Sequence, residues 1–410
     1  MTSFATIFRH AIRSSAFQRV VQKKDFCQTY HREQCTICPA IDLKYKDEIS
    51  VKEKSFLEFW KKNNLSGSPE KIVFSPLGRA YRTVSKRRVF RGKGGQVLLG
   101  LTDISESGWV KPVDVKVCPI EPASHASIYN YVQQFIVSRD GRALADVLSH
   151  VIIKGSYDEY WIIFNLSDLP QPANSGLNRL SKNMSKEFKV IAGLFYTIEE
   201  QSKYYLSDKA QANFKKLFGK DEIFQKACER SFLYSPLAFS QTNSSIIDLM
   251  IAKVSELMQF NKEELLYDLY CGYGLFGLCA AKEVKAVTGI EISVSAIRSA
   301  VQNSKRNKID NIRFVAENVT ASSLKKIFPR ESKQELVILD PPRNGTNVGV
   351  IEFLAERRIQ KALHLFCEVD LIPQELKRWT KNGYHIKRVV PLDMFPATEN
   401  IETMVLLERN

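Results

Sequence analysis

Two side chains near the carboxyl terminus have the chemistry of a covalent catalyst. Cys367 closes the apolar run 363–366, and Glu402 opens the last apolar run of the chain. A thiolate adds to electron-poor carbon, and a carboxylate can remove the proton whose loss lets the sulfur leave again. Such a pair suits a substrate that needs covalent activation before it reacts. Further upstream, Tyr267-Asp268-Leu269 runs into Tyr270-Cys271-Gly272-Tyr273-Gly274, an apolar stretch ending in a turn with two glycines. Glycines there let the main chain bend sharply and approach a ligand closely. Gly277 completes Gly-x-Gly-x-x-Gly, a spacing compatible with a nicotinamide dinucleotide as well as with S-adenosyl-L-methionine. Glu291 ends the next apolar run, where a carboxylate can accept from both hydroxyls of a ribose. Tyr270 is placed to stack on a flat cofactor face or to serve the core.

These groups need a scaffold that brings them to one edge. From Pro236 onward the pattern is strand, glycine loop, helix, strand, acidic residue, helix, strand, as consecutive parallel βαβ units produce. Strands are predicted over 265–269, 286–290, 312–315 and 336–339, each apolar enough to be covered on both faces. The middle of the chain mixes elements: a sheet-rich stretch over 71–119 with strands at 97–101 and 113–117, then helices and a strand at 160–164. Residues 44–62 carry Ile49, Phe56, Phe59 and Trp60 at the spacing of an amphipathic helix. The organisation expected is therefore a leader over 1–24, a cysteine-containing segment over 25–70, a central α+β domain over 71–235 and a cofactor domain over 236–410.

A chain of 410 residues exceeds what one hydrophobic core usually supports. Its 44% hydrophobic and 25% charged residues are ordinary for a globular protein, and no apolar run is long enough to span a bilayer. The net charge of +14 suits a polyanionic partner: RNA, DNA or an anionic membrane surface. Residues 1–24 hold Arg9, Arg13, Arg19, Lys23 and Lys24 and no acidic residue, with Phe4, Phe8 and Ile12 spaced for one helix face. That is the composition of a mitochondrial presequence, with a disordered basic RNA-binding arm as the alternative. The eight cysteines are irregularly spaced, which favours reduced thiols, metal ligands or a catalytic cysteine over a disulfide scaffold.

Asp340-Pro341-Pro342-Arg343-Asn344-Gly345, Cys367, Gly383-Tyr384 and the stretch Asp393-Met394-Phe395-Pro396-Ala397-Thr398-Glu399-Asn400-Ile401-Glu402 together resemble the closing third of the RNA uracil-5-methyltransferase family. Phe239-Ser240-Gln241-Thr242-Asn243 resembles that family's entry into its cofactor domain, and Asp268-Leu269-Tyr270-Cys271-Gly272 its cofactor loop. The resemblance implies an α/β fold: a C-terminal Rossmann-like S-adenosyl-L-methionine methyltransferase domain with an N-terminal α+β RNA-binding region. It implies Cys367 as nucleophile and Glu402 as base, with Asp340 beside the reacting groups. Gln241, Tyr270, Glu291, Asn318 and Asp340 match cofactor-holding positions. Carbon 5 of uracil is a poor nucleophile; addition of a thiolate at carbon 6 makes it enolate-like, able to take a methyl group. Asp340-Pro-Pro-Arg also differs from the Asp-Pro-Pro-Tyr signature of amino-group methyltransferases. The chain departs from the family's usual residues around the nucleophile, where Phe366 and Glu368-Val369 flank Cys367, and at Leu275, Ala397 and Asn400. A charged Glu368 near the thiol is expected to raise its pKa.

With the leader, the reading is a monomeric mitochondrial matrix enzyme acting on RNA: the T-loop uridine of tRNA, or a ribosomal RNA uridine. An RNA-binding tRNA-folding helper is the alternative. Cys35-x-x-Cys38, with Cys27 before and Cys118 far after, resembles the four-cysteine iron–sulfur site of some bacterial relatives. A four-iron four-sulfur cluster, or a site that has lost it, is thus expected there, with no other metal. Arg79, Arg82, Lys86, Arg87, Arg88, Arg91 and Lys93 interleave with Phe74, Tyr81 and Phe90, as cations for phosphates and rings for unstacked bases would, or as a solvated charged face would.

Overall fold

The computed structural model of the chain describes residues 2–17, 27–32, 34–104, 110–199, 213–328 and 334–409. Two seven-stranded sheets organise them. The first is built from β1 (Ser85–Arg91), β2 (Val97–Ile104), β3 (Val110–Val113), β4 (Leu148–Gly155), β5 (Tyr160–Leu166), β6 (Ile191–Ile198) and β7 (Lys215–Gly219), in the order β3-β2-β1-β4-β5-β6-β7. Its one parallel pair, β5 with β6, is bridged by the helix Gln171–Glu187. Every residue of β5 is buried, which explains why its sequence is an unbroken apolar run. The run 113–117 does not form the strand its alternation suggests. Only Val113 belongs to β3, and the chain then leaves the sheet toward Cys118.

A hairpin of β8 (Ile223–Ala227) and β9 (Arg230–Tyr234) leads into the second sheet. That sheet contains β10 (Leu265–Leu269), β11 (Ala286–Glu291), β12 (Ile312–Ala316), β13 (Glu335–Leu339), β14 (Lys361–Phe366), β15 (Tyr384–Leu392) and β16 (Glu402–Arg409), ordered β12-β11-β10-β13-β14-β16-β15. The four strands expected from sequence lie where their apolar runs put them. The first five strands are parallel, and β16 enters antiparallel between β14 and β15. The order reverses between β10 and β13, where an open parallel sheet leaves a crevice beyond its carboxyl ends. Alternation divides the core between the two faces: Val337 and Leu339 join one buried cluster, Leu336 and Ile338 the other.

Residues expected to form a removable leader are packed into that core. The helix α1 (Phe4–Ser14) buries Phe4, Ile7, Phe8 and Ile12 against Phe56, Phe59 and Trp60 of a second helix, Tyr45–Lys62. The remainder of the expected leader, 18–24, lies outside the described residues. Two cysteines expected to be reduced are instead joined: Cys228 and Cys279 form a disulfide with Cα atoms 6.1 Å apart. Their separation of 51 residues hid the pairing, which arises because the β8–β9 hairpin folds over the glycine-loop helix Leu275–Ala280. Among the described residues no helix is long and apolar enough to cross a membrane.

Candidate active site

The carboxyl ends of the parallel strands collect the chemistry-bearing residues. Tyr270 follows β10, Glu291 ends β11, Asn318 lies two residues past β12, Asp340 follows β13 and Cys367 follows β14. Phe366 pairs with Thr403 in the antiparallel ladder of β14 and β16, so the next step of that register sets Cys367 opposite Glu402. Nucleophile and base candidates thus face each other because β16 is inserted beside β14. The Cys367 Sγ lies 3.7 Å from the Pro341 carbonyl, so the Asp340-Pro-Pro-Arg loop closes over the same spot. Asp340 itself is held by its main-chain N–H donating to Leu269 O at 3.3 Å.

The glycine loop shows why its residues are needed. Gly272 and Gly274 have φ of 54° and 87°, a region that other residues adopt only with strain. Tyr270 nevertheless adopts φ 64°, a strained conformation of the kind that accumulates at ligand sites. The Glu291 carboxylate accepts from Gly272 N at 3.2 Å and Ser293 N at 2.8 Å, which fixes it at the lip of the loop. Asp268, a member of the loop motif, has a role of its own in the structure. Its Oδ2 accepts from Gly277 N at 2.8 Å, while Oδ1 is buried with no hydrogen-bond partner. Gln241 is half-buried on the segment entering this sheet, and Asn318 is exposed at its edge. That segment is anchored by Asn243, fully buried, whose Nδ2 donates to Ser75 Oγ at 2.9 Å and to Met394 O at 3.1 Å. Lys154, also buried, donates to the carbonyls of Pro236 and Ala238.

The pocket is electrostatically tense. Desolvation by the surrounding protein raises Asp340 to about 7, with the charge of Glu291 adding to it. Burial raises Asp268 to about 7 as well, against the Gly277 hydrogen bond and with help from Asp340 and Glu291. Glu402 is pushed up to about 8 by burial and by Asp340, while the Arg343 guanidinium pulls it down. Burial raises the Cys367 thiol to about 12; Asp340 and Glu402 add to the rise, Arg343 opposes it, and Glu368 contributes least. The expected influence of Glu368 is therefore present but minor beside burial. Arg343 is a second residue without a role in the sequence analysis, and its guanidinium lowers both groups. Acidic groups held near neutrality in a cleft are what proton-transfer chemistry requires.

The profile of the tRNA (uracil-5-)-methyltransferase family matches residues 206–410. The chain belongs to this family. An uncharacterized RNA methyltransferase of Clostridium tetani is 29% identical over 393 residues, spanning 92% of this chain and 82% of that protein. One from Thermotoga maritima is 27% identical over 388 residues, spanning 93% and 84%. The crystal structure of Pyrococcus abyssi tRNA (uracil-54, C5)-methyltransferase with S-adenosyl-L-homocysteine shares the fold: TM-score 0.66, 23% identity, 90% of this chain and 85% of that one. The α/β expectation is thereby borne out, with a fold of S-adenosylmethionine-dependent RNA methyltransferases.

Two further groups of this methyltransferase were singled out by sequence. Cys27, Cys35, Cys38 and Cys118 are free thiols that line one small cavity, and burial raises the pKa of each. The four thiols thus share a cavity, but no three metal-ligating side chains among the described residues are grouped to hold an ion, so the expected cluster is without support here. The basic cluster is partly spent on structure. Arg87 is buried in a two-point pair with Glu121 (2.9 and 2.7 Å), Arg79 pairs with Glu48 at 3.2 Å, and Arg91 donates to Leu148 O at 2.8 Å. Tyr81 is fully buried, its hydroxyl donating to Pro396 O at 3.0 Å. Phe74 is exposed, and Arg88 lies over the Phe90 ring at 5.4 Å.

Proposed function

We propose that this protein methylates carbon 5 of a uridine in RNA through a covalent adduct at Cys367, and that its substrate is the T-loop uridine of mitochondrial tRNA. The observation that carries the reading is the register that sets Cys367 opposite Glu402 beside Asp340, at the mouth of the glycine-loop crevice. Asp340, Glu291, Tyr270, Gln241 and Asn318 are the residues read as holding S-adenosyl-L-methionine. The unpartnered Asp268 Oδ1 and the cluster of carboxyls suit a ligand that brings hydrogen-bond donors and positive charge. That cofactor supplies the methyl group as a cationic, electrophilic sulfonium.

The sulfur of Cys367 bonds to carbon 6 of the flipped-out uracil, and the thiol proton leaves to a pocket carboxylate or to water. Carbon 5, now an enolate carbon, accepts the methyl group. Glu402 takes the remaining proton from carbon 5, the carbon–sulfur bond breaks, and the thiolate is regenerated. Flipping the base costs on the order of a few kcal/mol, which phosphate contacts offset.

RNA containing 5-fluorouridine tests this directly, because fluorine cannot leave as a proton does and the adduct persists. Incubation with S-adenosylmethionine should give a denaturation-resistant protein–RNA complex that Cys367→Ala abolishes. RNA binding without any adduct from the unmodified protein would favour the folding-helper reading. The tRNA assignment draws on the protein of like fold from Pyrococcus abyssi, a tRNA (uracil-54, C5)-methyltransferase. Methylation of ribosomal RNA but not tRNA by the purified protein would replace it. Matrix localisation rests on the composition of the amino terminus, and cell fractionation checks it. The four free thiols lining one cavity keep the iron–sulfur reading open to test beside that of a site that has lost its metal. Anaerobic reconstitution should then yield bound iron and sulfide, lost on Cys38→Ser; protein that takes up neither would overturn it.

A further inference from the structure

The helix α1 does more than fill the core. Its apolar face, Phe4, Ile7, Phe8 and Ile12, has the i, i+3, i+4, i+8 spacing of a helix seated on a hydrophobic surface, and each of these side chains is buried. The Phe4 ring meets Phe56 and Phe59 edge-on, with centroids 6.0 and 6.2 Å apart. Its polar groups reach the two loops that carry the reacting residues. The main-chain N–H of Phe4 donates to Asp370 Oδ1 at 2.9 Å, three residues after Cys367. One turn and a half further along the helix, Arg9 pairs with Glu399, three residues before Glu402. A third link is indirect. The ammonium of Lys52, 5.7 Å over the Phe8 ring, donates to Asp393 Oδ1 at 2.6 Å and to Phe395 O at 3.0 Å, both in the loop that ends at Glu402.

We propose that α1 is a positioning element of the active site, clamping the nucleophile's loop through Phe4 and Asp370 and the base's loop through Arg9 and Glu399, and that the working enzyme retains it. The proposal rests on the reading of Cys367 and Glu402 as the reacting pair. The first residue of the helix fixes the strand end of β14 and its middle, at Arg9, fixes the approach to β16, so the spacing between sulfur and carboxylate is set from outside the sheet as well as by its register. An Arg-faced amphipathic helix can serve as an import signal while the chain is unfolded and become a brace once it folds. On this view the same residues do both, and the import step does not remove them.

Charge reversal tests the clamp without deleting the helix. Arg9→Glu and Glu399→Arg should each slow kcat and the rate of 5-fluorouridine trapping by about ten- to a hundredfold, as small misplacements of reacting groups do. KM for S-adenosylmethionine and the melting temperature should stay near wild type. The double variant Arg9→Glu/Glu399→Arg should recover most of the lost rate. Single variants as fast as wild type, or a swap that rescues nothing, would overturn the clamp. A wild type that traps no RNA would instead sink the underlying functional reading. Mass mapping of the protein isolated from its own cells supplies an independent arm: peptides spanning Phe4–Ser14 are expected, and an active chain that begins beyond Ile12 would overturn retention.

Discussion

At the scale of single residues, the site is defined by carboxyls that the fold keeps close to protonation. Glu402 must be ionised to take the carbon 5 proton, and its carboxyl is held at about 8. Turnover should therefore rise as pH increases through about 8, and flatten above it, wherever proton removal limits the rate. Glu402→Gln should lower turnover by about 10²–10⁴-fold and leave methylated, covalently attached RNA on Cys367; released product at the normal rate would remove Glu402 from the mechanism. Asp340 makes a stability prediction as well. Its folded value near 7 exceeds the roughly 3.9 of an unfolded aspartate, so the native state binds the proton more tightly between those values. Stability from this group is present below about pH 4 and falls as pH rises toward 7. Asp340→Asn should consequently melt like wild type near pH 4 and higher than wild type at pH 8, by on the order of 1 to 3 kcal/mol. Melting curves at the two pH values decide it.

At the scale of elements, the glycine loop and the strand register carry the function. A Cβ on Gly277 would stand 2.9 Å from Asp268 Oδ2 and 3.0 Å from Val287 Cγ1, in a helix that closes on β10. Gly277→Ala should cost about 1–3 kcal/mol of stability by overpacking and weaken S-adenosylmethionine binding, measured by calorimetry; unchanged affinity would show that Asp268 does not organise the loop. The same elements mark what was legible in the sequence. The parallel strands were readable because strands covered on both faces are apolar runs, and the lip residues were readable because they end those runs. The pairing of Cys367 with Glu402 was not, since β16 reaches β14 only after β15 has been laid down outside it. Nor were Asp268 and Arg343 assigned roles, because a motif gives residue types without saying which atoms face the pocket. The disulfide between Cys228 and Cys279 depends on a hairpin's placement that no spacing reports. Composition makes the amino terminus read as a leader, and the aromatic face of Tyr45–Lys62 is readable too, but that the two pack together is a contact neither pattern announces. Arg79, Arg87 and Arg91 look like phosphate ligands by type and are consumed by Glu48, Glu121 and main-chain carbonyls.

At the scale of the whole molecule, the net charge of +14 sets how the protein meets its substrate. Each phosphate neutralised releases condensed counterions, so KM for RNA should climb steeply with salt, while affinity for the small cofactor changes little. Titrating sodium chloride in the methylation assay separates the two; parallel salt slopes would mean that RNA is not held by its phosphates. The connectivity has its own consequence. Phe4 and Asp370 are 366 residues apart in the chain and share a hydrogen bond. The strand that brings the base lies inside its sheet rather than at the margin. At synthesis rates of about 5–20 residues per second, the polar partners of the first helix, Asp370 and Glu399, emerge tens of seconds after it does. Cys367 and Glu402 both follow residue 366, so neither reacting group exists until the last stretch of synthesis. The reacting pair can therefore be assembled only when translation is essentially finished and the final strand joins its sheet beside β14.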